Sequence, residues 1–335
     1  MMNALHPFDS TALELDCAAA AREIEQSIQR IVAHDLRRQG IVLGVSGGID
    51  SSVCAALAVR ALGPERVLAI LMPEKENSPD STRRGRLLCE HLGIEPILET
   101  ITAPLTALGC YDRRDAAIRR LFPEYGPGWK QKIGLAGGLL DADRVNYFTL
   151  TVESPEGERQ TSRMPVDVYL DVVAATNLKQ RVRKTVEYTH ADRLNYAVLG
   201  TPNRLEYELG FFVRGGDGLA DLKPIAHLYK SQVYQMADWL GLPDDIRNQS
   251  PSTDTYTLPQ SQEEFYYALP YDKLDLALFA FGRGVTEDDA ARALDLTPDQ
   301  VRRVYKDIVA KRRTSARILR NAHLVQPVEV EGCNG

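Results

Sequence analysis

The stretch Leu43-Gly44-Val45-Ser46-Gly47-Gly48-Ile49-Asp50-Ser51-Ser52 holds the chain's densest set of residues able to handle phosphate. Gly47 and Gly48 allow a sharp turn and a close approach of backbone to a ligand, because no Cβ intervenes. Ser46, Ser51 and Ser52 bring hydroxyl donors. The helical pattern behind them, Val53, Ala56, Leu57 and Val59, would aim unpaired N–H groups and a positive dipole end at an anion. Asp50 is the odd member, since a carboxylate repels phosphate unless a cation such as Mg²⁺ lies between them. The lysine that follows the second glycine of a Walker A loop is missing here. A ligand-free strand–helix turn is the competing reading. The apolar run Ile41 to Val45 before the loop and the helix after it favour nucleotide binding.

The elements that must position this loop follow an α/β alternation: strand 41–45, helix 52–62, strand 66–72, helix 79–92, strand 95–99. It predicts an α/β fold with a doubly wound, mainly parallel sheet and a ligand site at the strands' C-terminal ends. Ahead of it, residues 11–38 keep helical spacing through Leu13, Leu15, Ala18, Ile24, Ile28 and Ile31. The loop Met72 to Pro79 leaves the second strand at the same edge, where it either reaches the base and ribose or is a solvated turn. Residues 110–165 break the pattern. Arginines 113, 114, 119 and 120, a Gly/Pro-rich patch from Pro123 to Gly138, and a strand from Asn146 that turns at Glu156-Gly157 predict a small hairpin insertion. It reads as a solvated elaboration, with substrate contact by its basic and aromatic residues the alternative.

From Val168 the pattern predicts a helix to about Thr189, a buried strand from Tyr196 to Leu199, and a loop from Gly200 to Glu206. The run Gly210 to Gly218 is too rich in glycine for a regular element and reads as a substrate-lining loop. A helix opens at Leu228-Tyr229-Lys230 and ends at Gly241, and residues 250–270 read as a polar lid. A helical C-terminal tail covers 272–320, with Thr286 and Thr297 as N-caps and Pro298 at a first helical position. One domain over 11–320, with flexible segments at 1–10 and 321–335, accounts for the whole.

Composition narrows the function. A chain of 335 residues with net charge −6 and no long basic run does not suit general nucleic-acid binding. No window approaches the roughly 18 apolar residues of a membrane span. Met1 to Ser10 lacks a basic segment followed by an apolar core, so the expectation is no signal peptide and a cytoplasmic protein. The five cysteines form no CxxC pair, which fits reduced thiols and not a zinc site.

The loop resembles the Ser-Gly-Gly-x-Asp-Ser loop of the ATP pyrophosphatases, and over about residues 20–320 the chain looks like the ammonia-dependent NAD synthetase family among them. Asn177-Leu178-Lys179-Gln180-Arg181-Val182-Arg183 fits that family's Asn-x-x-x-Arg-x-Arg helix, and Gly200-Thr201 with Glu206 its Gly-Thr-x-x-x-x-Glu loop. Phe211-Phe212 with Gly216-Asp217-Gly218 fits its glycine-rich substrate loop. Asp221-Leu222-Lys223-Pro224-Ile225, Leu228-Tyr229-Lys230, Pro251-Ser252-Thr253-Asp254 and Lys311-Arg312-Arg313 follow in the family's order.

The resemblance implies adenylation of a carboxylate by ATP, loss of pyrophosphate, then attack by ammonia to give an amide. It implies catalytic roles for Asp50 and Lys230 and Mg²⁺ ligation by Asp50 and Glu206. ATP contacts would come from Gly44, Ser46, Gly47, Gly48, Ser51 and Ser52, and from Arg181, Thr201, Lys230 and Ser252. Contacts to the acid would come from Asn177, Phe212, Arg214, Asp217, Asp221 and Lys311. For Glu206 a surface carboxylate at a helix start is the alternative, and for Arg181 an i,i+4 ion pair. The family's tyrosine before Gly-Asp is replaced by Gly215, and a family carboxylate after the lid by Gln262. These departures leave open a second acid, such as a metabolite or sugar acid, as substrate. The resemblance leaves no stretch for a glutaminase, so ammonia would come free or from a separate protein, and it implies a homodimer.

Overall fold

Alternation along two strands lays out the core. Ile41, Leu43 and Val45, with Val67, Ala69 and Leu71, join one buried cluster, while Val42, Ile70 and Met72 join another on the opposite face. Side chains alternate across a strand, so these runs need cover on both faces, as a parallel sheet flanked by helices provides. The computed structural model describes residues 8–136, 140, 147–249, 256–258, 266–267 and 269–328. In it α1 (Cys17–Arg30) leads to β1 (Ile41–Gly44), α2 (Ile49–Leu62), β2 (Val67–Leu71), α3 (Pro79–Leu92) and β3 (Ile97–Leu98). Helices α4 (Thr102–Ala107) and α5 (Cys110–Arg119) precede the strands β4 (Lys130–Ala136), β5 (Tyr147–Glu153) and β6 (Arg159–Arg163). Next come α6 (Val166–Leu194), β7 (Ala197–Val198), α7 (Arg204–Leu209), α8 (Lys230–Trp239) and α9 (Asp244–Arg247). Helices α10 (Tyr271–Arg283), α11 (Glu287–Leu294) and α12 (Pro298–Ile318) complete the order.

The parallel sheet runs β3-β2-β1-β7, and the antiparallel sheet of the insertion runs β4-β5-β6. Helices α1, α2 and α8 cover one face of the parallel sheet, and α6 with α4 and α5 the other. Helix α6 spans about 43 Å at the usual helical rise. Its N-terminal half, through Val168 and Val172, packs into the insertion's own core with Ile133, Leu150 and Val152. Its C-terminal half supplies Val182 and Ala191 to the core beneath the parallel sheet. The C-terminal helices enclose a further cluster with Leu205 and Leu209 of α7. Thr286 and Thr297 cap as expected, the latter in a reciprocal box with Gln300, behind Pro298.

Several boundaries differ from the sequence reading. The helix expected over 11–38 is broken: Ser10–Leu13 is a 3₁₀ turn, and Asp16 then restarts the chain by accepting from Ala19 N at 2.9 Å. The helix expected from 52 begins at Ile49, because Gly48 holds extended backbone as its N-cap. Strand β4 lies inside the stretch read as an irregular Gly/Pro-rich patch. Its register, Lys130 opposite Glu153 through Ala136 opposite Tyr147, comes from β5 and not from local pattern. Helix α6 runs past Thr189 to Leu194 and stops where Asn195 turns left-handed. Ser252 with the rest of Pro251 to Asp254, Gln262, and most of the expected lid lie outside the described residues. Among those described, no helix is long and apolar enough to cross a membrane.

Candidate active site

The loop 45–48 joins β1 to α2, and its shape explains its glycines. Gly47 has φ +79°, and a Cβ there would come within 2.6 Å of Ser81 O and 3.0 Å of Arg84 Cβ. Ser46 and Ser51 brace the turn: Gly48 N donates to Ser46 Oγ at 3.2 Å, and Ser51 Oγ donates to Gly48 O at 3.0 Å. Because α2 starts at Ile49, Asp50 stands in its first turn, where the helix dipole favours a carboxylate. Ser52 is different. It is fully buried and donates its hydroxyl to Gly48 O at 2.8 Å, turned into the helix and not toward a ligand.

Two further helix starts converge on Asp50. Lys230, the first residue of α8, is 1% exposed and ion-pairs with Asp50 Oδ2. Asp50 Oδ1 accepts from Asn203 Nδ2 at 3.0 Å. Asn203 also caps α7: Glu206 N donates to Asn203 Oδ1 at 3.2 Å, and Asn203 N donates to Glu206 Oε2 at 3.0 Å. This reciprocal box fixes Glu206 beside Asp50. Burial, then the neighbouring Asp50 charge, pushes the Glu206 carboxyl up to about 8, with Lys230 opposing. Burial works against the Lys230 charge, but Asp50 and Glu206 outweigh it and hold that ammonium above its usual range. Asp275 of α10, fully buried, accepts from Lys230 N at 3.2 Å and Ser231 N at 2.6 Å and so anchors the start of α8. Burial lifts the Asp275 carboxyl to about 6.

Two cavities open at this edge of the sheet. The smaller, 220 Å³, has Gly44, Val45, Leu71, Met72, Pro73 and Asn77 on its walls. The larger, 620 Å³, has Asp50, Glu206 and Lys230 on its walls. Ser46, Ser51, Gln180, Thr201 and Asp217 border both. The larger cavity is also lined by Gly48, Asn177, Arg181, Phe212 and Arg214. Arg181 donates to Arg214 O at 3.2 Å, so it is tied to the loop 210–218 and not to the alternative i,i+4 partner. Asp217 accepts from Val213 N at 2.7 Å, and burial pushes its carboxyl up. Gly215 has φ +72°, a conformation a tyrosine would strain to adopt.

Some expected residues fall elsewhere. Gly47 and Ser52 stand behind the cavity wall and line neither space. Asp221 is exposed and outside both cavities, accepting from Val198 N at 2.7 Å and Tyr188 Oη at 3.1 Å. Lys311 also lies outside them, donating to Tyr266 O at 2.8 Å and pairing with Asp307. Its partner Tyr266 does reach the larger cavity.

Other site residues carry little or no sequence signal. Asn203 is readable as an N-cap three positions before Glu206, but its bond to Asp50 is not. Asp275 is called into place from 45 positions away. Arg84 lines the larger cavity, and its buried Nε has no partner among the described residues. The loop after β2 divides its labour: Pro73 and Asn77 line the smaller cavity, while Glu74 and Glu76 enter a buried ion cluster. There Lys179 pairs with Glu74 at 2.9 Å and Glu76 at 2.7 Å, Arg114 with Glu76 at 2.6 Å, and Tyr111 Oη donates to Glu74 at 2.7 Å. The insertion is more than a solvated elaboration. Phe148 of β5, stacked on Tyr169 at 4.1 Å, lines the larger cavity. Two of its arginines have protein partners instead: Arg120 meets Asp167 and Asp171, and Arg119 donates to Tyr125 O.

Comparison with known proteins gives consistent matches. The sequence profile described as NAD synthase matches residues 20–117 and 146–314. The NH(3)-dependent NAD(+) synthetase of Rhizobium meliloti (strain 1021) is 54% identical over 322 residues, 96% of each chain. Among solved structures, an NMN synthetase from Francisella tularensis superposes with a TM-score of 0.64 at 21% identity, covering 93% of this chain and 99% of that one. The NH3-dependent NAD synthetase from Campylobacter jejuni superposes with a TM-score of 0.61 at 21% identity, covering 93% and 100%. At such identities the superpositions speak for the fold, which is shared by proteins named for different products.

Proposed function

Since the chain belongs to the NAD synthase family, we propose that it joins ammonia to the carboxylate of nicotinic acid adenine dinucleotide, converting ATP to AMP and pyrophosphate. The observation that supports this reading most directly is the meeting of two cavities at Ser46, Ser51 and Thr201, with Asp50, Glu206 and Lys230 on the larger side. ATP laid with its nucleoside in the smaller space brings its α-phosphorus to that border, where a carboxylate in the larger space can attack. The Pα–O bond to the β-phosphate breaks as the acyl–O–Pα bond forms. Ammonia then adds to the acyl carbon, AMP leaves with the shared oxygen, and one proton is released.

The roles of individual residues follow from placement. Ser46, Gly48 and Ser51, at the positive end of α2, offer preorganised donors to the departing pyrophosphate. Lys230 brings a buried positive charge to the same point, and Arg181 and Arg214 flank the acid side. Asn177, Phe212 and Asp217 frame the acid, and Asp221 and Lys311 support that frame from outside it. Thr201 stands where adenylate and acid meet.

Asp50 and Glu206 suit a magnesium ion. They are two neighbouring carboxylates sharing one ammonium, and both causes of the upward push on Glu206, burial first and then the Asp50 charge, are ones a divalent cation would offset. Among the described residues no group of three or more His, Cys, Asp or Glu forms, so phosphate and water would complete the shell, as magnesium favours. When bound, such an ion draws off charge that develops as pyrophosphate leaves.

The fold is compatible with more than one acid, but the names of the relatives favour the dinucleotide acid. Ammonia reaches the site free or from a separate glutaminase. We also expect a homodimer, for which the exposed Val166 and Leu170 at the start of α6 offer an apolar face; ultracentrifugation should give twice 37.3 kDa. The reading as a whole is tested by mixing protein, ATP, ammonia and the dinucleotide acid. Pyrophosphate and NAD should form in equal amounts, and absence of acid-stimulated pyrophosphate release would overturn it.

A further inference from the structure

One buried carboxylate on the wall of the smaller cavity has no part in the chemistry just described. Glu187, on α6, is 6% exposed. Its Oε2 accepts from Lys184 Nζ, one turn earlier, at 2.6 Å. Its Oε1 has no hydrogen-bond partner among the described residues. That oxygen lies against the end of β1: a Cβ built on Gly44 would stand 2.8 Å from Oε1 and 2.9 Å from Met72 Cε. Gly44, Met72, Lys184 and Glu187 all line the cavity. That oxygen opens onto the cavity, and the lack of a side chain at Gly44 is what leaves it room.

The cavity indicates which part of a nucleotide would meet this oxygen. The border with the larger cavity, at Ser46, Ser51 and Thr201, is the phosphate end. Glu187 borders only the smaller space, with Val45, Leu71, Met72, Pro73 and Leu199 supplying apolar surface on its walls. These apolar walls suit the faces of a planar base, with Glu187 an oriented acceptor among the polar side chains Asn77, Ser81, Thr82 and Arg183 that complete the lining, whereas a ribose lies between base and phosphates and belongs nearer the shared border.

We propose that Glu187 is a specificity-determining residue that accepts a hydrogen bond from the exocyclic amine of adenine. This rests on the assignment of ATP to the smaller cavity. Lys184 pins Oε2, so Oε1 is the atom presented to the base. A base carrying a carbonyl at the same position, as in inosine or guanosine triphosphate, sets acceptor against carboxylate and is refused.

The substitution Glu187→Gln tests this with little change of shape. Lys184 requires an acceptor, so the new amide turns its oxygen to Lys184 and its NH2 to the cavity, reversing the polarity met by the base. Measured as kcat/KM for NAD formation, the wild-type preference for ATP over ITP should fall at least tenfold in Glu187→Gln, by loss with ATP and gain with ITP. A general structural defect lowers both nucleotides by one factor and leaves the ratio intact, and that outcome overturns the proposal. So does a change confined to 2′- or 3′-deoxy-ATP, which would place a ribose hydroxyl against Glu187. Wild-type NAD formation in the same assay stands apart: its failure would sink the assigned reaction, whereas an unchanged ATP-to-ITP ratio with an active wild type sinks only the role of Glu187.

Discussion

Asp50 has both carboxylate oxygens engaged, one by Lys230 and the other by Asn203. Replacing Lys230 with Met leaves Asp50 and Glu206 facing each other with no cation. Pyrophosphate release should fall at least a hundredfold. Urea denaturation should show a loss of about 3 kcal/mol, because the partner charge stays partly buried and unpaired; unchanged stability would contradict that argument. Asp275 makes a different prediction. Burial raises it from an ordinary 3.8 to about 6, so between those values the folded chain keeps a proton that the unfolded chain gives up. Its contribution to stability is full below about pH 4 and declines by about 3 kcal/mol as pH rises through about 6. The slope of unfolding free energy over that window should flatten in Asp275→Asn, and an unaltered slope would show that the proton resides elsewhere. At this scale Ser46, Asp50, Thr201 and Glu206 were legible because each sits in a short local pattern. Asp275 and Arg84 were not, since what makes each matter is a helix start or loop supplied by a distant part of the chain.

Among the elements, the loop after β2 shows how buried charge can hold a binding segment in place. Glu74 and Glu76 clamp it to Lys179 of α6 and Arg114 of α5, and Asn77 is thereby set on the cavity wall, where Arg183 donates to it at 3.0 Å. Lys179→Met should destabilise the protein by about 3–5 kcal/mol and raise the KM for ATP more than that for the acid. Denaturation and initial-rate kinetics measure the two effects, and an ATP KM equal to wild type would detach the cluster from the site. Phe148 on β5 makes the opposite forecast. Phe148→Ala should raise the KM for the acid about tenfold with that for ATP unchanged, and a shift in ATP alone would reassign this wall. The parallel strands and most helices could be read from period and caps, as at Thr297-Pro298. Strand β4 could not, because a Gly-containing edge segment becomes a strand only when β5 pairs with it. The break at Asp16 was equally hidden: the apolar spacing continues across it, and only the side-chain cap interrupts the helix.

For the molecule as a whole, the α/β alternation and the order of short motifs were enough to anticipate the sheet, the edge at which the two cavities open and the family. They did not show that the insertion would share a wall with the larger cavity, because that depends on α6 being one continuous rod. The rod runs from the insertion's core to the underside of the parallel sheet, carrying Asn177, Gln180 and Arg181 along its middle. This has a bearing on modularity. An insertion joined by two flexible ends can be cut out, but this one covers Val168 and Val172 of a helix the rest of the protein depends on. Shortening the loop would uncover that apolar face and favour aggregation. If the larger cavity holds the acid as proposed, a change of acid preference is more accessible through side-chain exchange on β5 than through loss of the segment, which makes the insertion a fixed part of the scaffold with a variable inner surface.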